Sequence, residues 1–262
     1  TRNALYLLEQ AGIEIPVAEG MHRPRMLPPF PPSSAVHGGE GLGTLDVPIS
    51  QRHASVETAP EYLVRMARAH QGELLLCPIG PLTNIAAAME LDPSFCGNLK
   101  GMVVMGGSLR AGGNITSAAE ANFYHDPHAA DYVLRYGCNI TLVGLDVTNR
   151  VICPRSFFVG LASESRKMGG LLRDMADYYI DFYETVGKFA GCGMHDPSAL
   201  VACIAPELFT TEPHALRVTC HGDRSGEMII DESSTAQLVN VCTDVQAEEV
   251  KQNFFNNVAK LS

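Results

Sequence analysis

Glu73-Leu74-Leu75-Leu76-Cys77-Pro78-Ile79-Gly80-Pro81-Leu82-Thr83-Asn84 holds an apolar run, a Pro/Gly turn and a helix start within twelve residues. Residues 73–77 read as a strand buried on both faces, because the run is continuous in hydrophobicity and bounded by turn residues. A helix then starts at Pro81 or Leu82. Upstream, Thr58-Ala59-Pro60-Glu61 has the form of a capping box opening a helix that runs to His70. Downstream, residues 101–105 form another short apolar strand, Asp126-Pro127 caps a helix ending near Gly137, and residues 139–144 make a third strand. Helical periodicity fills 154–188, Asp196-Pro197 opens a further helix, 216–220 and 228–231 suggest a hairpin, and Asp244 is expected to cap a terminal helix. Repeated βα alternation of this kind predicts an α/β fold: one domain over 1–262, with a mostly parallel open sheet flanked by helices on both faces.

The chain has 262 residues, 46% of them hydrophobic and 18% charged, enough to bury a sizeable core. A formal net charge of −10 with no Lys/Arg block argues against a nucleic-acid partner, since such affinity rests largely on phosphate neutralisation. The longest apolar stretches are too short to span a bilayer, so no membrane segment is expected. Eight cysteines lie scattered without a Cys-x-x-Cys pair, which reads as reduced thiols and points to a cytoplasmic setting. Cys192, three residues before His195, is read as packing rather than as a nucleophile.

In open α/β sheets ligands bind beyond the carboxyl ends of the strands, which draws attention to Pro78-Ile79-Gly80 and Gly106-Gly107-Ser108. The long, small and polar loop 106–119 delivers Glu120 and Asn122, while the Pro/Gly-rich loop 28–43 carries His37. Gly193-Met194-His195-Asp196-Pro197 places a proton donor beside a hard oxygen ligand. Each residue also has a plainer reading. Asp196 serves as a helix N-cap, His37 as a loop histidine, Glu120 and Asn122 as turn or solvated residues, and Asp126 as a cap. The aromatic residues of 178–189 read as core. A proton donor, carboxylates and an amide drawn from strand-end loops together suit the grip and protonation of a polyhydroxylated substrate, and so a ribosyl hydrolase. Breaking a C–N glycosidic bond places positive charge on the ribose and negative charge on the leaving base, so such a site needs anions near the sugar and an acid near the base.

Five ordered motifs carry a family resemblance: His37-Gly38 with Glu40-Gly41-Leu42-Gly43; Gly80-Pro81-Leu82-Thr83-Asn84-Ile85-Ala86; Val104-Met105-Gly106-Gly107-Ser108; Glu120 and Asn122 with Asp126-Pro127; and Met194-His195-Asp196-Pro197. Across its length the chain resembles the inosine-uridine-preferring nucleoside hydrolases. The resemblance implies hydrolysis of a ribonucleoside to free base and ribose with calcium as cofactor. It implies that Asp196 and the Ile79 carbonyl are metal ligands, that Glu120, Asn122 and Met105 hold the ribose, that His195 is the proton donor, and that His37 lies toward the same base-side half of the pocket. It also implies a homodimer or homotetramer, and a small-molecule ribonucleoside such as inosine or uridine as substrate.

The chain departs from the family pattern in lacking the aspartate-rich loop D-x-D-x-G-x-D-D, which follows the first strand and supplies most of the calcium carboxylates and the general base. It lacks as well the following βα element with a ribose-binding Asn. It opens in a helix pattern at Thr1-Arg2-Asn3-Ala4-Leu5, so a βα unit of roughly 30 residues is expected to lie outside this sequence, leaving the calcium site incomplete. Two further differences are Glu40 where Asp is common, and Ala121 where an aromatic is usual. The alternative expectation is a catalytically inactive nucleoside- or ribose-binding or scaffold protein of the same fold.

Overall fold

The structure is a computed structural model that describes residues 1–186, 190–233 and 236–261. Its strands, in chain order, are β1 (Leu75–Leu76), β2 (Gly101–Met105), β3 (Ile140–Val143), β4 (Ile152–Cys153), β5 (Cys192–Gly193), β6 (Phe209–His214), β7 (Leu216–Val218), β8 (Met228–Ile230) and β9 (Val239–Val245). The main sheet runs β1-β2-β3-β9-β6, parallel from β1 to β9 and antiparallel at β6. The mostly parallel sheet expected from the βα alternation is therefore present. The expected hairpin is present too, as β7 paired antiparallel with β8.

Strand β2 is buried along its whole length, and its period of two explains why helices cover both faces. Met102 and Val104 join one apolar cluster with Val64, Ile85 and Val133 from the helices on that side and with Phe95 from the turn before Cys96. Val103 and Met105 join the other, with Phe158, Ile180, Ala199 and Val250. The capping box forms as read: Thr58 and Glu61 cap the helix Ala59–Ala69 reciprocally.

Several sequence expectations shift. The stretch 154–188 divides into the helices Arg155–Glu164 and Gly169–Thr185, and Lys188 lies outside the described residues. At the break Gly169 crosses so close to the preceding helix that a Cβ would lie 2.5 Å from the Leu161 carbonyl oxygen. Asp244 does not cap the terminal helix Ala247–Ala259; it lies in β9, paired with Arg150 at 2.5 Å. The helix after β1 begins at Thr83, with Leu82 at its N-cap. Strands β6 and β9 went unread, β6 because Pro213 and its exposed polar residues mask an edge strand.

Asp126 fastens the layers around the site. It is fully buried; Oδ1 accepts from Ala129 N–H at 3.0 Å, and Oδ2 accepts from the Thr83 hydroxyl at 2.7 Å and Arg25 N–H at 2.8 Å. Removing the carboxylate strips a cap and leaves buried donors unmatched, so Asp126→Ala is expected to lower stability by about 3 kcal/mol or more in urea denaturation. A midpoint equal to that of the wild type would show that water replaces all three bonds.

Candidate active site

The ends of β1, β2 and β3 meet on one side of the sheet. Leu145 N–H donates to the Gly107 carbonyl at 3.0 Å, and Met105 N–H donates to the Pro78 carbonyl at 2.9 Å, so the three following loops are held together by backbone. Glu120 enters this junction at the end of loop 106–119 and is only 2% exposed. Its Oε2 accepts from Gly107 N–H at 2.9 Å and Phe123 N–H at 3.2 Å, and its Oε1 accepts from Asn122 N–H at 2.9 Å. Gly107 has φ +68, and a Cβ there would lie 2.7 Å from the Phe123 ring, so the close approach requires glycine.

The plain cap reading of Glu120 is therefore correct as far as it goes, since it caps the short helix Ala121–His125. What it leaves out is the burial. Desolvation pushes the Glu120 carboxyl up to about 7, opposed by the three backbone donors. Asn122 is not a solvated turn residue either: its Nδ2 donates toward the Met105 carbonyl at 3.2 Å, the Met105 sulfur at 3.3 Å and the Ile79 carbonyl at 3.3 Å. Glu120, Asn122, Met105 and Ile79 thus form one connected group.

Asp196 joins them by charge. It sits within the first turn of the helix His195–Ile204, whose N-cap is Met194, and no side chain caps that helix. The expected N-cap role for Asp196 is not formed, and its carboxylate has no hydrogen bond or ion pair among the described residues. Burial pushes its carboxyl up to about 6, and its charge bears on Glu120, Cys77 and Tyr179. His195 is 8% exposed, with Nδ1 at 2.7 Å from the hydroxyl of Thr148, a residue that sequence reasoning missed. His37 lies further out. Its ring stacks on Tyr179 with centroids 5.8 Å apart and planes 9° from parallel, and burial lowers its pKa.

Gly38 makes the placement of His37 possible. It has φ +81, and a Cβ there would lie 1.9 Å from the Gly43 carbonyl oxygen, so the loop closes on itself with Gly43 N–H donating to the His37 carbonyl at 2.8 Å. Of the aromatic residues expected in the core, Tyr183 is buried, while Tyr179 lies between His37 and the charge of Asp196 and bonds Tyr183 through its hydroxyl at 3.0 Å. The i, i+4 spacing of these two tyrosines is the signal for the pair. Phe189 lies outside the described residues.

The donors suit an oxygen-seeking cation in kind: a partly buried carboxylate at Asp196, without a hydrogen-bond partner among the described residues, and the carbonyl of the half-exposed Ile79. They do not suit it in number, since calcium takes about six to eight oxygens. Among the described residues no three His, Cys, Asp or Glu side chains converge as a metal site.

Polar groups gathered at the carboxyl ends of parallel strands, beside carboxyls of raised pKa, define a small-molecule enzyme of the open-sheet α/β class. The chain belongs to the inosine-uridine preferring nucleoside hydrolase family, whose profile matches residues 1–252, and it is an enzyme of the nucleoside hydrolase type. It is 37% identical over 233 residues to a probable uridine nucleosidase 1 of Oryza sativa subsp. japonica, a match covering 88% of this chain and 72% of that protein. The purine-preferring ribonucleoside hydrolase from Gardnerella vaginalis superposes with a TM-score of 0.94 at 32% identity, covering 99% of this chain and 85% of that one. A plant nucleoside hydrolase, PpNRh1, superposes with a TM-score of 0.95 at 31% identity, with the same coverage. Among the described residues, no helix is long and apolar enough to cross a membrane.

Both carboxyls, the buried Glu120 and the partly buried Asp196, titrate higher folded than unfolded, so each favours the folded chain most while protonated. In calcium-free buffer that contribution is complete below about pH 4 and lost as the pH rises through 6 and 7. For Glu120 the gap from 4.5 to about 7, at about 1.4 kcal/mol per pH unit, amounts to about 3 kcal/mol. Thermal melting from pH 4 to pH 8 should therefore fall more steeply for the wild type than for Glu120→Gln. Parallel curves would show that Glu120 is not desolvated as described.

Proposed function

We propose that the chain hydrolyses the N-glycosidic bond of ribonucleosides to free base and ribose, with calcium as cofactor. The observation that carries this reading is the junction of Glu120, Asn122, Met105 and Ile79 beside the partly buried Asp196, which has no hydrogen bond or ion pair among the described residues. An anion fixed by three backbone donors does not reorganise as charge develops, which is the form of electrostatic stabilisation an oxocarbenium-like ribose requires. Asn122 and Glu120 offer an amide and carboxylate oxygens to ribose hydroxyls, and Met105 supplies an apolar, polarizable floor under the sugar.

On the base side His195 acts as the general acid, giving a proton to the leaving nitrogen as its bond to the sugar breaks. His37 stands on that side through its stack with Tyr179, where an imidazole and a phenol offer a face and donors to a planar base. Asp196 and the Ile79 carbonyl are the ligands this chain contributes to calcium. When bound, calcium supplies a positive centre that takes vicinal hydroxyls as oxygen ligands. The free thiols fit a reducing cytoplasm, and a homodimer or homotetramer fits the family.

His195→Ala is expected to lower kcat for uridine and inosine by about 100-fold or more, and to lower it far less for an aryl riboside whose leaving group needs no proton. An equal loss on both kinds of substrate would remove the acid role. For the metal, this chain contributes only two oxygen donors, so titration with calcium should raise the melting temperature of the wild type only slightly and leave Asp196→Asn unmoved. The same rise in both proteins would place the ion elsewhere.

A further inference from the structure

The hydrogen bonding around His195 points to a second residue in the proton-transfer step. We propose that Thr148 positions His195, donating its hydroxyl proton to Nδ1 and thereby keeping the ring proton on Nε2. The proposal rests on the acid role of His195 given above.

Thr148 is fully buried at the end of the short helix Leu145–Thr148, which follows β3 directly. Its Oγ1 lies 2.7 Å from His195 Nδ1. Its backbone is engaged elsewhere: the N–H donates to the Gly144 carbonyl at 3.1 Å, and the carbonyl accepts from Val151 N–H at 3.1 Å. Among the described residues the hydroxyl has no second hydrogen-bond partner. A hydroxyl buried in a protein carries a proton that needs an acceptor, and Nδ1 is the acceptor at hand. A neutral imidazole has one N–H and one bare nitrogen. If Nδ1 accepts, the proton is on Nε2, and that nitrogen is the donor.

The pairing is braced from the backbone. Val151 links the two residues, donating its N–H to the Thr148 carbonyl and accepting Met194 N–H on its own carbonyl at 2.9 Å, so a hydrogen-bonded path of two steps sets Thr148 opposite the start of the helix that bears His195. On the other edge of the ring, a Cβ at position 193 would lie 2.8 Å from His195 Nε2. Glycine at β5 therefore leaves room for the imidazole, while Thr148 decides where its proton sits. A valine at 148 has the same shape and no donor, so it would release the tautomer without opening a cavity.

The deciding measurement is long-range ¹⁵N–¹H NMR of the histidine rings in the full chain, with His195 assigned by the signals lost in His195→Ala. At about pH 8, where an ordinary histidine is neutral, the wild type is expected to show His195 as the Nε2–H tautomer. Thr148→Ser should keep that pattern, and Thr148→Val should shift it toward Nδ1–H or a mixture. In turnover, Thr148→Val should lower kcat for uridine by about tenfold with KM unchanged and with little loss on an aryl riboside, and Thr148→Ser should restore most of it. A wild-type ring found as Nδ1–H, or an Nε2–H pattern unchanged in Thr148→Val, overturns the proposal, and the first of these needs no variant to fold. Wild-type turnover of uridine by His195→Ala would overturn the acid role itself, and the ring spectra would still decide whether Thr148 sets the tautomer.

Discussion

The carboxylate of Glu120, buried and held by the Gly107, Asn122 and Phe123 N–H groups, is the interaction around which the site is organised. It closes the loop 106–119 back onto the end of β2, starts the helix that presents Asn122, and through Asn122 reaches the carbonyls after β1 and β2. A charged group in this position would be costly without those donors. With them its orientation is set before any ligand arrives, so one residue caps a helix and also places a carboxyl in the site.

Asp196 has the opposite arrangement. Its helix starts at Met194 without a side-chain cap, and the carboxylate finds no donor or cation among the described residues. Burial raises both carboxyls, and the charge of Asp196 adds to the rise at Glu120, so a positive group entering the site would favour their ionised forms. A ribose ring that gains positive charge is a group of that description, so the proposed glycosidic cleavage makes an electrostatic demand that these carboxyls can meet.

The base side is built differently, from rings and a hydroxyl instead of carboxylates. His37 rests on Tyr179 at the mouth of a loop that closes because Gly38 accepts a backbone conformation closed to other residues. His195 is held deeper, between Thr148 and the bare backbone of Gly193. Under the proposed function, the carboxyls stand at the sugar and the imidazoles at the leaving group, in line with the charge that bond cleavage creates on each side.

Much of this was legible in the chain alone. The apolar runs at β1, β2 and β3, with their Pro/Gly exits and capped helices, determine a parallel α/β sheet because hydrophobic period and turn chemistry are local properties. The same local signals mark Glu120, Asn122, His195 and Asp196 as polar groups at strand ends. Other features were decided only by the tertiary structure, since they depend on groups far apart in sequence. Burial of Glu120 comes from packing against Gly107 and Phe123, and Asp196 meets no hydrogen-bond donor among the described residues. The Thr148–His195 bond joins two segments 47 residues apart, and the His37–Tyr179 stack joins a loop to a helix that reads as core. Strand β6 was hidden for a related reason: an edge strand with a proline and polar faces has no distinctive pattern until a neighbour's backbone pairs with it. Sequence periodicity specifies which faces are apolar; desolvation, and with it the chemistry of a carboxyl or an imidazole, is a property of what the folded chain brings alongside.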